Sequence, residues 1–469
     1  MISEIRKLPP VYWLLNIFQM LEKLAYWTVL LQLPIYIAQK DAPGGLHWEQ
    51  TVKGLIFFIW AAVQNTVPVF AGGFADKYGT RKTLRAAILL IAAGYLIIGT
   101  QRDLYLFTFG TIVIGLGSGI FKPALQGAVA STLNEKQSSL GWSIYFMLLN
   151  IAVFFGPPLS KYLREISWYA VFAGSAIIIL SSFVLTFFLR NQIFFEKRNS
   201  ESPIEVMKKI FSRLIQPKIY IFIILMSGFA IIYMQFYETL PNFIFDWTDT
   251  SGIVQSLRLP DFLTFITARG RMISYEWFYN LNAGLIIIGI VLLSRLVKRF
   301  QKLYVIALGT GLCALGLMFS GLSMLGSLTI AGFLIYTIGE MLTNPKFAEY
   351  LSESAPMGEK SLYMSFLNLS MAIGLGGGSL LGGWLYKHYA EKASLAYNYL
   401  LTNFSDVKSV SVNNSFETLQ IKTGLNAVDA TNLLWNYYQP YKVWLPFLLI
   451  GIISVAGLIL YKRKQKNNP

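Results

Sequence analysis

Apolar residues in this chain come in runs of about 20, the length an α-helix needs to cross roughly 30 Å of hydrocarbon. Twelve such runs stand out, near residues 11–38, 53–73, 84–101, 104–130, 139–161, 168–189, 219–245, 273–295, 302–323, 327–350, 361–388 and 441–461. In hydrocarbon each backbone donor and acceptor must be satisfied within its own segment, so every run is expected as a helix. The pattern predicts an all-α polytopic membrane protein, with twelve transmembrane helices in two six-helix halves. The first half covers 1–190, a polar linker 191–218 follows, and the second half covers 219–469. Within the linker, "IEVMKKIFSRLI" reads as a short amphipathic helix on the membrane surface. Two further polar segments, near 246–271 and 389–441, are expected outside the membrane, and the second is long enough to carry structure of its own.

Composition agrees with this class. Of 469 residues, 55% are hydrophobic and 13% charged, about half the charge of a soluble domain. A net charge of +15 raises the question of nucleic acid, and its distribution answers it. With the N-terminus inside, one side of the membrane receives Arg6 and Lys7, the loop "DKYGTRKTLR" from Asp76 to Arg85, the lysines near the linker, "RLVKRFQK" from Arg295, and the tail "KRKQK" from Lys462. That asymmetry is the positive-inside pattern, with both termini cytoplasmic. The basic surplus is a topology signal whose partner is membrane lipid, not nucleic acid. The expected location is a cell membrane of the bacterial inner-membrane type. "MISEIRKLPP" offers no signal-peptidase site, so a retained first helix is expected.

A single cysteine, Cys313, allows no intrachain disulfide and no cysteine metal cluster. His47 and His388 supply neither a metal cluster nor a catalytic triad. No phosphate loop is present, because "GLGSGIF" lies inside an apolar run. The chain reads as a non-enzyme that needs no cofactor and no metal and acts as a monomer.

Against that apolar background, Glu22 and Lys23 in the first run, Lys122 in the fourth, Glu238 in the seventh and Glu340 in the tenth stand well inside the hydrocarbon. Intramembrane ionisable groups face one another or a watery cavity, and they mark ion or substrate pathways. The plainer alternative is that Glu22 and Lys23 form ion pairs that only hold helices together, with Lys23 reaching toward the interface. Tyr26, Trp27, Tyr145, Asn150, Tyr237 and Asn282 lie at similar depth. Each has its own plain reading, since a Tyr or Asn in a membrane helix often bonds a neighbouring backbone. Together, acids, lysines and aromatic walls suit a zwitterionic or anionic organic solute with hydrophobic parts.

The two halves echo each other. "LGSGIFKPALQGAVASTLNEK" from Leu116 and "IGEMLTNPKFAEYLSESAPMGEK" from Ile338 each place a proline six residues after a glycine, in the fourth run of their half. "GGFADKYGTRK" follows the second run, and a worn copy, "SRLVKRFQK", follows the eighth. Parallel six-helix repeats resemble transporters of the major facilitator type, and the loop with Gly72, Gly73, Asp76, Gly79, Arg81 and Lys82 resembles that superfamily's signature. There Asp76 can cap or pair with a helix end, Gly79 makes the turn, and Arg81 and Lys82 hold the inside. More narrowly, "QMLEKLAYW", "GLGSGIFKPAL", "IYFMLLNIAVFFGPPL", "EWFYNLNAGLIII" and "GEMLTNPKFAEYLSESAP" resemble helices one, four, five, eight and ten of the proton-coupled oligopeptide transporters.

The resemblance implies a role for each matched position. Glu22 and Glu238 would couple protons, with Lys23 in place of an arginine. Lys122 would meet Glu22 or a peptide carboxylate, Asn150 and Asn282 the peptide backbone, and Glu340 the peptide amine. The pattern departs from the family at Gln19, where a glutamate belongs, and at Leu30, where an arginine does. Trp27, Thr28 and Ala283 depart as well. The expected function is proton-coupled secondary transport of small peptides or peptide-like solutes by alternating access. The alternatives are a proton-driven exporter of drugs, lipids or other amphipaths, and a non-transporting membrane receptor that uses the 389–441 segment.

Overall fold

The computed structural model describes residues 8–71, 75, 78–133, 135–189, 208, 212, 214–354, 360–404 and 410–467. The linker and its expected amphipathic helix fall almost wholly outside that set, as do Gly72, Gly73 and Asp76 of the loop motif. The chain forms two compact units, each drawing on both halves of the sequence. Unit 1 takes Met1–Leu30, Ile59–Ile224 and Leu351–Ile373, and unit 2 takes Leu31–Phe58, Leu225–Tyr350 and Gly374–Pro469.

In unit 1 the helices are α1 (Pro10–Leu30), most of α3 (Gln50–Ala71), α4 (Thr80–Thr100), α5 (Leu104–Ser131), α6 (Glu135–Ile166) and α7 (Trp168–Leu185). Helix α4 packs against α5 and α7, and α1 packs against α6 and α7. The buried face of α1 carries Tyr12, Leu15, Phe18, Glu22, Ala25 and Val29, the three-and-four spacing of one helix face. Side chains close the helix starts. Asp103 accepts from the Leu106 N–H at 3.0 Å, and Ser167 accepts from the Ala170 N–H at 3.0 Å, satisfying donors that have no partner inside the helix. Before α4 the chain turns at Gly79 with φ +85°, a conformation that glycine adopts without penalty.

Unit 2 opens with α2 (Leu33–Ala38) and contains most of α8 (Pro217–Glu238), α9 (Leu240–Trp247), α10 (Ser251–Leu257), α11 (Tyr275–Leu296), α12 (Lys302–Gly321) and α13 (Gly326–Ser354). It continues with the second part of α14 (Lys360–Tyr389), then α15 (Lys392–Asn403), α16 (Ser415–Thr423), α17 (Ala427–Tyr438) and α18 (Leu445–Asn467). The polar segment before α11 adds an antiparallel hairpin, β1 (Thr264–Thr267) and β2 (Gly270–Ile273), with Thr264 opposite Ile273 and Thr267 opposite Gly270. The long segment near 389–441 does carry structure, namely α15 to α17.

Two runs expected as single helices are broken. The first stops at Leu30 and resumes at Leu33, and the seventh stops at Glu238 and resumes at Leu240. Both breaks share a cause. Pro34 and Pro241 sit in the first turn of the resumed helices. A proline has no N–H to continue the ladder, and its ring crowds the carbonyl four residues back. The sequence counterparts are "LQLP" and "ETLP".

Nine described helices are long and apolar enough to cross a membrane. Helices α1, α3 and α11, with 21, 22 and 22 residues, occupy the other three expected positions. Their polar residues, such as Glu22, Lys23, Lys53, Glu276 and Asn280, lower their hydropathy.

Candidate functional site

Unit 1 gathers its charged and aromatic groups around the second half of α1. The Glu22 carboxylate and the Lys23 ammonium lie 2.9 Å apart, with Glu22 buried and Lys23 partly open. Neighbours on a helix do not face each other directly, so the pair forms because the long lysine folds back. The same ammonium lies 5.1 Å from the Tyr26 ring, within cation–π range. Tyr26 in turn rests on Trp60 at 5.6 Å and Trp27 at 5.9 Å. Tyr145 is buried and meets Trp142 edge to face at 5.0 Å. Lys122 is exposed, one residue before Pro123 in α5, and makes no ion pair with a described residue. Asn150 is half-buried, and its amide donates to the Phe146 carbonyl of its own helix at 2.8 Å. That is the plain reading for its N–H. Gln19, which stands where the family resemblance has an acid, is buried, and neither of its amide atoms has a hydrogen-bond partner.

In unit 2, Glu340 on α13 is buried and clasped by amides. Asn282 of α11 donates to one carboxylate oxygen at 3.1 Å, and Asn344 approaches the other at 3.4 Å. The Asn282 amide also reaches the Thr337 hydroxyl at 2.9 Å. No cation among the described residues lies within ion-pair distance of Glu340. Beside this cluster stands an aromatic wall. Phe236 stacks on Tyr336 at 3.9 Å, Tyr237 lies 5.0 Å from Tyr233, and the Tyr279 hydroxyl donates to the Phe236 carbonyl at 2.6 Å. Tyr237 is buried here with Asn282. The structure thus brings Asn282, Glu340 and the α8 aromatics into one neighbourhood of unit 2.

Glu238 is fully buried, and neither carboxylate oxygen has a hydrogen-bond donor. Lys53, also fully buried, donates to the backbone carbonyl of Glu238 and to the Asn242 side-chain oxygen, both at 3.1 Å, and lies 5.6 Å from the Tyr386 ring. Lys53 was missed because it sits at the first position of an apolar run, where a lysine ordinarily reaches out to water. Glu276 was missed for the same reason at the start of α11. It is fully buried and accepts from Gln32 at 3.0 Å. The signal for Lys53 was "KGLIFF": a lysine followed at once by Gly54. A side chain at Gly54 would strike the Ser379 carbonyl, and one at Gly383 would strike the Gln50 carbonyl, so α3 and α14 meet backbone to backbone. That approach draws Lys53 inside.

Residues 15–379, most of the chain, match the Major Facilitator Superfamily. The chain belongs to that superfamily. As a major facilitator protein it is a membrane-embedded, multi-pass transporter and not an enzyme. Among curated relatives, the multidrug resistance protein MdtH of Salmonella paratyphi B is 22% identical over 390 residues, covering 82% of this chain and 88% of that protein. Among solved structures, a peptide transporter POT in complex with alafosfalin is similar, with TM-score 0.70, 16% identity, and 97% and 95% of the two chains covered. A POT family transporter with 5-aminolevulinic acid gives TM-score 0.65 at 16% identity, over 92% and 97%. A mutant of the nucleoside transporter NupG gives 0.69 at 12% identity, over 96% and 99%. These neighbours share the major facilitator fold.

Proposed function

We propose that this chain is a proton-coupled secondary transporter that moves small peptides or peptide-like zwitterionic solutes by alternating access, acting as a monomer in a cell membrane with both termini in the cytoplasm. The observation that carries the reading is Glu340. A buried carboxylate held only by amides has no compensating cation, a costly arrangement for the charged form unless it takes up a proton or a cation arrives to meet it. A substrate amine is such a cation. For a solute carboxylate the proposed group is Lys122 of unit 1, an exposed residue with no ion pair to a described residue. Asn282 positions Glu340, and Tyr237 offers apolar and hydroxyl surface for side-chain parts of the solute. Tyr26 and Tyr145 do so in unit 1, with the free oxygen of the Asn150 amide as an acceptor. The likeness to transporters described as binding alafosfalin and 5-aminolevulinic acid supports the same solute class.

Proton coupling is assigned to Glu22, Lys23 and Glu238. Protonating Glu22 dissolves its 2.9 Å contact with Lys23 and frees that ammonium, so one proton changes the charge layout of α1. Glu238, with no donor on either oxygen, accepts a proton without first breaking a hydrogen bond. Arg81 and Lys82, in the first turn of α4 after Gly79, act with Gly72, Gly73 and Asp76 as the gating and topology loop.

A second reading rests on the curated relative. MdtH is named a multidrug resistance protein, and the Phe236, Tyr237, Tyr279 and Tyr336 wall suits amphipathic cargo. Counterflow of labelled dipeptide into proteoliposomes tests the choice. Exchange at rates well above empty liposomes supports the peptide reading. No dipeptide exchange, with proton-driven movement of lipophilic cations, replaces it with export.

A further inference from the structure

The helices α15 to α17 form an insert that no transport role has yet absorbed, and its contacts converge on the two short helices that follow the breaks. Within unit 2, α2 and α9 are joined by Asn242, whose amide donates to the Pro34 carbonyl at 3.1 Å and to the Gln39 side-chain oxygen at 3.0 Å. Gln39 donates back to Asp246 at 2.6 Å. The insert grips this pair twice. Trp435 of α17 lies 6.2 Å from Phe243 and 5.7 Å from Trp247, both on α9, and the Trp247 N–H donates to the Ala390 carbonyl at 2.8 Å. At the other end Lys392, the first residue of α15, places its ammonium 2.9 Å from Asp41 and 3.9 Å from Asp246. Lys392 also lies 4.7 Å from the Phe416 ring of α16, and Ser415 donates to the Ala393 carbonyl at 2.6 Å, so the insert's own helices hold the lysine in place. Asp246 is further bonded by the Tyr386 hydroxyl at 2.7 Å.

We propose that the α15–α17 insert is a strap across α2 and α9, with Lys392 as its clasp on Asp41. The aromatic grip on α9 is permanent packing. The grip on the 39–42 segment is a single ion pair whose lysine side chain is 12% and aspartate side chain 37% exposed, and removing Asp41 takes the nearest counter-charge from the mostly buried lysine. The segment from Leu31 to Phe58 can therefore leave the rest of unit 2 only when Lys392 releases Asp41, and the strap biases the transporter toward the state in which these residues are docked. This inference does not depend on the identity of the solute.

Cysteine labelling of the full chain in nanodiscs, where a maleimide reaches both faces, tests it. The chain has one cysteine, Cys313, which is buried, so a Cys313→Ala background is silent. A reporter at Ala38→Cys, fully buried at the end of α2, reads undocking. A control at Ala176→Cys in α7, also buried, reads general loosening. Lys392→Gln and Asp41→Asn should each speed Ala38→Cys labelling several-fold. The double variant should be no faster than either single variant, because both remove one interaction. Lys392→Arg should stay near the parent rate, and the Ala176→Cys control should not change. An unchanged reporter rate, additive effects in the double variant, or an equal rise at the control would overturn the clasp.

Discussion

Glu22 and Glu340 are both buried carboxylates in the helical core of their units, and their neighbours differ in kind. Glu22 carries its own cation, the Lys23 ammonium at 2.9 Å. Glu340 is held by Asn282 and Asn344 at 3.1 and 3.4 Å. An acid that brings its own cation is neutral as a pair, and protonation changes the pair from within. An acid held by amides has no cation of its own, and a proton or a cation arriving from outside neutralises it. The difference divides labour between the two acids, with proton exchange assigned to Glu22 and amine recognition to Glu340. Each half of that division can be broken separately.

The largest effect is expected at Glu22. Glu22→Gln removes the titratable group while keeping shape and polarity, so gradient-driven accumulation should vanish while exchange of solute across proteoliposomes persists. Undiminished pH-driven accumulation in the variant would move coupling elsewhere, with Glu238 the next residue to test. Glu340→Gln should spare coupling and strike binding. Free-amine ligands should lose affinity by about 2–5 kcal/mol, the range for truncating a buried charge contact, while N-acetylated ligands lose little. Equal losses for both forms would make Glu340 a structural acid and would favour the amphipath reading.

How far the sequence foresaw this contrast depends on where each residue sits. The long apolar helices and the structured 389–441 insert were legible because hydrophobic period and length are local properties. Glu22, Lys122 and Glu340 were legible because a charge inside an apolar run is conspicuous. The breaks after Leu30 and Glu238 were not read, although Pro34 and Pro241 were visible, because prolines also sit inside intact helices here, such as Pro68, Pro123 and Pro345. Context decides which proline breaks its helix. Lys53, Glu276 and Asp246 escaped for a related reason. Each stands at the edge of an apolar run, where burial depends on partners far along the chain: Asn242 for Lys53, Gln32 for Glu276 and Tyr386 for Asp246.

Lys122 sharpens the comparison from the unit 1 side. If its exposed ammonium meets a solute carboxylate, Lys122→Ala should weaken carboxylate-bearing ligands by about 1.5–3 kcal/mol, the scale of a charge-assisted hydrogen bond, and leave amidated forms nearly unaffected. Isothermal titration with a peptide and its amide measures the difference directly. Equal weakening of both would return Lys122 to a structural role.

The smallest effect concerns an ion pair that lacks burial, Glu49 with Lys387 at 2.7 Å, whose glutamate side chain is 58% exposed. The Lys387 ammonium, hydrogen-bonded to it, holds the Glu49 carboxyl below its ordinary value of 4.5. A carboxylate held low in the folded state stabilises it at pH values above the unfolded pKa, and the contribution fades as pH falls through the folded pKa. Wild type should therefore exceed Glu49→Gln in thermal stability near neutral pH by only a few tenths of a kcal/mol, since solvent screens an exposed pair. The gap should close as the pH drops below 4.5, and salt near 1 M should close it at neutral pH. A gap that widens in acid would mean the pair does not hold the carboxyl low. A gap of several kcal/mol would mean Glu49 shares the buried character of Glu22 and Glu340, and the contrast between solvated and buried carboxylates in this chain would fail at its exposed end.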